Sequence, residues 1–167
     1  AMKKKVVRGG YGKDLHGQKA TYYQVNATYY SALGCDDASM LLARAIHLFM
    51  PGKPQVWYLD LFAGENNLAA VERAGSGGHK EIHRTHLSAD DLEAGLAKPV
   101  VQRQIDLLRF RNTHPAFGWD AELTASGEGS VLTLEWSREG HTARLEADLA
   151  TRAFRITADG TDLDSQG

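Results

Sequence analysis

The 167-residue chain carries 19 Lys and Arg against 21 Asp and Glu, mixed along its length. No dense cationic stripe of the kind that gathers phosphodiester backbones is present, which excludes nucleic acid as a partner. A lone cysteine, Cys35, rules out an internal disulfide, and the opening AMKKKVVRGG lacks the apolar core of a signal peptide. The longest apolar runs, within Met40 to Met50, are broken by Arg44 and His47 and fall short of the roughly 18 residues a membrane span needs. These features predict a cytoplasmic protein with no membrane partner.

Residues 1–20, rich in Lys and with Gly9, Gly10, Gly12 and Gly17, read as a loop. From Asp36 the spacing of Met40, Ala43, Ile46 and Met50 predicts an amphipathic helix whose acidic start suits the macrodipole. Pro51, Gly52 and Pro54 end it. The β-branched and aromatic segment Gln55 to Leu59 then predicts a buried parallel strand, followed by a functional loop through GENN and GSGG. A short helix is expected between Asn67 and Arg73. Ser88 followed by Asp90, Asp91 and Glu93 is an N-cap with an acidic first turn. After Pro99 a longer helix is expected to bury Val101, Ile105 and Leu108, turn Arg103, Asp106 and Arg109 to water, and stop near His114 and Pro115.

Beyond Gly118 the period becomes two. Leu132, Leu134 and Trp136, then Ala143, Leu145 and Ala147, alternate with polar residues as strands of an antiparallel sheet, with turns at Ser126 to Ser130 and Ser137 to Gly140. Such a sheet is too small to bury its own core and should rest on the preceding helices. Residues 159–167 are polar and read as a disordered tail.

Several constellations admit chemistry. Asp60 and Glu65 lie just after the expected strand, where a retaining glycosidase-type site would want two carboxyl groups about 5 Å apart, but capping and positioning of the loop account for them better. His79, His83 and His86, spaced four and three apart, could face one side of a helix as zinc ligands and define a small metal-dependent enzyme as one reading. GSGGHK lacks P-loop spacing, so no nucleotide cofactor is expected.

The stretch YYQVNATYYSALGCDDASMLLARAIHLFMPGKPQVWYLDLFAGENN at Tyr22 to Asn67, HKEIHR at His79 to Arg84, and VVQRQIDLLRFRNTHPAF at Val100 to Phe117 together resemble the sucrose phosphorylases of the α-amylase superfamily, in the correct order. The closer resemblance is to the branch acting on sucrose 6'-phosphate. It implies a fold of α/β plus β class: residues 21–117 as the last βα units of a (β/α)8 barrel and residues 118–158 as a C-terminal antiparallel β domain. A whole barrel needs about 250 residues, more than this chain has. In that family the nucleophile, the acid/base and the transition-state stabilising aspartate lie before the first matching block, so the resemblance assigns no catalytic residue and no cofactor here. RLEA at Arg144 to Ala147 looks superficially like the family's nucleophile strand but falls in the terminal sheet.

The same resemblance assigns substrate contacts. Tyr23 and Gln24, in YQVN, match the mobile loop that lines the acceptor site. Lys80 stands where the family's G-R-D-I-N-R motif has its first arginine, a contact to glucosyl hydroxyls, and Arg84 matches the last. HKEI in place of GRDI, with LHGQ at Leu15 to Gln18, matches the variant whose fructosyl unit carries a phosphate, making His16 and Lys80 the phosphate contacts; His83 replaces the usual Asn. The expected partners are sucrose or sucrose 6'-phosphate and inorganic phosphate. A non-catalytic carbohydrate-binding or complementing piece is the alternative reading, and the edges of an open barrel would then promote self-association.

Overall fold

The computed structural model describes residues 11–15 and 18–163, with residues 11–15 and 18–24 described by backbone alone. The chain divides into two compact units, residues 1–40 with 56–101 and residues 41–55 with 102–167.

The first unit opens with an antiparallel hairpin, β1 (Tyr11–Leu15) and β2 (Gln18–Asn26), where the glycine content predicts loop. Its ladder is irregular on both sides of Asp14, and Gly12 sits opposite Val25. A two-stranded ribbon draws on backbone hydrogen bonds more than on side-chain packing, so one Gly costs it only about 0.5–1 kcal/mol. Helix α1 (Tyr29–Ala32) is capped by Thr28, whose Oγ1 accepts from the Ser31 amide at 3.2 Å. Gly34 (φ 86°) and Cys35 (φ 55°) then reverse the chain into α2 (Asp37–Phe49).

After α2 the expected strand at Gln55 to Leu59 does not form. The backbone runs extended to Trp57 (φ −71°, ψ 139°) and turns at once into helix α3 (Tyr58–Leu61). A strand exists only through its ladder partners, and the described sheets are the hairpin and a separate meander, neither of which takes these residues. The remaining elements are α4 (Leu68–Ala74), a 3₁₀ helix (Gly78–His83), α5 (Ala89–Leu96) and the start of α6 (Pro99–Thr113). Ser88 caps α5 as expected, in a reciprocal box with Asp91. Gly95 inside α5 is explained by close approach: a Cβ there would come within 2.5 Å of the Phe62 ring.

The second unit is built on the five-stranded antiparallel meander β3 (Glu122–Glu128), β4 (Val131–Arg138), β5 (His141–Asp148), β6 (Phe154–Ala158) and β7 (Thr161–Asp162). Its turns are tighter than the sequence suggests. Glu139 with Gly140 and Asp159 with Gly160 all have positive φ, the signature of the two-residue hairpin turns that match strand twist. The buried face of the sheet (Leu134, Trp136, Ala143, Leu145, Ala147 and Ile156) packs with Leu42, Ala45, Leu48 and Phe49 of α2 and Leu107 of α6. Chain order runs on past the expected end of the sheet, because Asp159 Oδ1 accepts from the Thr142 amide at 2.7 Å and the Leu163 amide donates to Ile156 O at 3.0 Å. Residues 159–163 thus belong to the end of the sheet and not to the expected tail; residues 164–167 lie outside the described residues.

In each long helix only part of the stripe predicted from apolar spacing is buried: Met40 in α2 and Val101 in α6 are fully covered as expected, and the rest of each buried face differs. In α2, Met50 ends 44 % exposed while Leu42, Ala45, Leu48 and Phe49 are buried. In α6 the buried stripe is Val101, Gln104 and Leu107, with Ile105 and Leu108 only partly covered. A polar residue holds the centre of that stripe because it has a buried partner: Gln104 Oε1 accepts from Arg44 Nε at 2.9 Å.

The β4–β5 end of the sheet is tied by Asp148, whose Oδ1 accepts from Ser130 Oγ at 2.7 Å and from the Ala150 amide at 2.9 Å. The Ser130 hydroxyl first, then the Ala150 amide, holds its carboxyl down to about 2. A depressed carboxylate contributes stability above the ordinary Asp range near ~3.9 and loses it as pH falls through the folded value. Urea midpoints should therefore fall between pH ~4 and pH ~2 in the native chain, and the Asp148→Asn variant should flatten that part of the fall.

Candidate functional site

The chemistry-bearing residues of the first unit gather where the 57–67 segment meets the 3₁₀ helix. Trp57 Nε1 donates to His83 O at 3.0 Å and Tyr58 Oη donates to Thr85 O at 2.8 Å. The Asn67 amide donates to Ile82 O at 2.8 Å, and Asn67 Nδ2 donates to Thr85 Oγ1 at 3.2 Å. These four bonds pin 82–85 against the loop. From the other side, Thr28 N donates to Asn66 Oδ1 (2.7 Å), Tyr29 N to Asp60 Oδ1 (2.8 Å) and Asn66 N to Ser31 Oγ (2.9 Å). Hydrogen bonds thus hold the GENN loop from both sides.

Asp60 takes the positioning role expected of it, and Asn67, not among the expected groups, acts as a cap. Asn67 Oδ1 accepts from the Ala70 amide at 2.9 Å and caps α4. Glu65 is exposed at the loop tip. Neighbouring Tyr30 donates its Oη–H to Asp37 Oδ1 at 2.8 Å, which pushes the phenol up to about 12.

What the loop presents outward is aromatic. Trp57 is 47 % exposed, with Tyr58 tilted beside it at 4.9 Å between ring centroids and His83 at 6.4 Å. Burial, then the charge of Arg84, lowers the His83 pKa, with Asp60 opposing; the imidazole is neutral at neutral pH. His83 Nδ1 and His79 Nε2 are buried and make no hydrogen bond among the described residues. Lys80 and Arg84 stand exposed on the same short segment, Arg84 3.5 Å from Glu81 in a solvent-screened pair. Two tilted aromatic rings, a neutral imidazole and two cations on the neighbouring segment are groups that can hold a hydroxylated ring and an anion.

The sequence-derived residues fall unevenly on this frame. Lys80 and Arg84 are on it. Tyr23 and Gln24 belong to β2, whose backbone runs beside the 3₁₀ helix, Gln24 opposite Lys13. His16 lies outside the described residues. No group of His, Cys, Asp and Glu suited to a metal is found among the described residues, at His79, His83 and His86 or elsewhere. His79 and His83 sit on a 3₁₀ helix, where three residues per turn rotates an i, i+4 pair apart, and His86 lies beyond its end. Sequence reasoning missed Trp57 and Tyr58, having placed both in a buried strand. No helix among the described residues is long and apolar enough to cross a membrane.

No family model matches the chain. Individual proteins do. A sucrose 6(F)-phosphate phosphorylase of Ilumatobacter coccineus is 55 % identical over 153 residues, 90 % of this chain and 29 % of that protein. The chain is homologous to part of the sucrose phosphorylases. A sucrose phosphorylase of Agrobacterium vitis is 41 % identical over 83 % of the chain and 28 % of its own length. The crystal structure of sucrose 6F-phosphate phosphorylase from Thermoanaerobacter thermosaccharolyticum superposes with a TM-score of 0.85 at 34 % identity, over 96 % of this chain and 35 % of that one. The small antiparallel sheet with its helices is therefore a fold shared with the sucrose phosphorylases, and the chain spans about 29 % of the length of its Ilumatobacter relative.

Proposed function

We propose that residues 21–117 are the last βα units, and residues 118–158 the terminal β domain, of a cytoplasmic retaining glycoside phosphorylase acting on sucrose 6'-phosphate or sucrose. The observation that carries this reading is the 55 % identity to a sucrose 6(F)-phosphate phosphorylase across 90 % of the chain. In the reaction a carboxylate attacks the anomeric carbon while an acid protonates the departing fructosyl oxygen. A phosphate oxygen then displaces the carboxylate as its proton returns to the conjugate base, giving glucose 1-phosphate and fructose 6-phosphate or fructose. Neither carboxyl is assigned to these 167 residues.

Their contribution is recognition. Tyr23 and Gln24 line the acceptor side, Lys80 and Arg84 hold glucosyl hydroxyls, and His16 with Lys80 receives the fructosyl phosphate. Trp57 and Tyr58 offer ring surface next to His83.

The test is a chimera in which these residues replace the matching segment of the Thermoanaerobacter enzyme. It should release glucose 1-phosphate in the presence of phosphate, faster from sucrose 6'-phosphate than from sucrose. Lys80→Ala in that chimera should raise KM for sucrose 6'-phosphate about 10-fold, through loss of the phosphate and glucosyl contacts together, and KM for sucrose, which loses only the glucosyl contact, by about 3-fold. The isolated chain should release none. Turnover by the pure chain, or a folded chimera with no activity, refutes the proposal.

A further inference from the structure

The second unit contains a cleft of about 730 Å³ that the phosphorolysis reading does not use. Lys53 and Arg111 line it and no Asp or Glu among the described residues does, although the chain as a whole has a net charge of −2. The Arg111 guanidinium is held flat: its Cζ lies 4.2 Å from the centroid of Phe117 and 5.2 Å from that of Trp136, and Nη2 donates to Gly52 O at 3.2 Å. No carboxylate pairs with it among the described residues, and its Nε is buried without a hydrogen-bond partner. A cation with one hydrogen bond out of its five donors, desolvated against two rings, is an anion receptor whose orientation is already fixed. At the rim, Trp119 is 98 % exposed and Asn112 brings an amide to the same cleft. An indole with nothing packed on it beside a cationic floor suits a ligand that has both a carbon-rich ring face and a charge. The volume falls in the range of small-molecule sites.

We propose that this cleft binds a phosphorylated sugar. Arg111 and Lys53 take the phosphate, Asn112 a ring hydroxyl, and Trp119 covers the carbon face of the sugar ring. The site binds and makes no bond, and it rests only on residues of the second unit, so it stands whether or not the phosphorolysis reading does.

The three tryptophans make the test direct, because Trp57, Trp119 and Trp136 give three indole N–H signals in a ¹⁵N-labelled chain. Glucose 1-phosphate should shift Trp119 and Trp136 saturably, with a Kd on the order of 1 mM, whatever the response of Trp57 in the other unit. Glucose and inorganic phosphate should each bind roughly 10-fold more weakly or worse. Lys53→Ala and Trp119→Ala change exposed side chains and leave the core intact; each should weaken glucose 1-phosphate about 5-fold, and Arg111→Gln should abolish binding. The proposal is overturned by the absence of saturation at about 20 mM, by inorganic phosphate binding as tightly as the sugar phosphate, or by unchanged affinity in both surface variants.

Discussion

Gln104→Leu should lower the stability of the second unit by about 3 kcal/mol, although it places a Leu in an apolar stripe and keeps the side-chain volume. Gln104 is fully buried and Arg44 is 3 % exposed, and the bond between Oε1 and Nε is 2.9 Å long. Arg44 Nη1 also lies 3.1 Å from His47 Nδ1. Guanidinium only donates, so Nδ1 is the unprotonated ring nitrogen; burial first, then the Arg44 charge, lowers the His47 pKa and keeps it neutral. Removing the Gln104 acceptor takes away a neutral oxygen beside a charge that has little access to water, and that costs more than the added apolar contact returns. Urea unfolding followed by Trp136 fluorescence should show the midpoint falling by more than about 1 M. Gln104→Glu keeps an acceptor in place and should fall by less than half as much. If the Leu variant is as stable as the native chain, the buried pair is incidental to the fold.

That pair also shows where a sequence stops being legible. The periods of α2 and α6 announce helices, and Ser88 announces its own cap, because each signal acts within four residues. The sheet reads as clearly, since Leu134, Trp136, Ala143 and Leu145 alternate with polar neighbours. What cannot be read locally is which face meets which. Gln104 is polar and has no place in an apolar stripe until Arg44, sixty positions earlier, is found against it. The same holds at the candidate site. Asp60 and Asn66 have the residue types of positioning groups, but their partners are amides 31 and 38 positions away. Gln55 to Leu59 has strand composition, and composition alone cannot distinguish a paired strand from an extended approach to a short helix. Trp57 and Tyr58 passed as core for that reason, and only their exposure reveals a surface.

Trp136→Ala should be the most damaging single change in the sheet, at about 4 kcal/mol, and Trp136→Phe should cost about 1–2 kcal/mol. The indole is 5 % exposed, meets Phe117 edge-on at 5.9 Å, and donates Nε1–H to Phe49 O at 2.8 Å. Phe49 closes α2, so its carbonyl is one of the orphaned acceptors of a helix end, and the sheet supplies the donor. Alanine removes both the ring and that donor. Phenylalanine keeps most of the packing and loses only the donor, so the pair of variants separates packing from hydrogen bonding. The exposed Trp119→Ala control should change stability by less than about 0.5 kcal/mol. Urea titrations followed by far-ultraviolet circular dichroism measure all three variants without depending on the tryptophan that is removed. Near-equal losses for Ala and Phe would mean that the helix-end bond matters more than the ring's packing, and a loss below about 1 kcal/mol for Ala would mean that the meander does not rest on α2. Because the same indole backs Arg111, the Ala variant should also lose glucose 1-phosphate binding in the cleft, whereas the Phe variant, with a ring face still in place, should retain most of it.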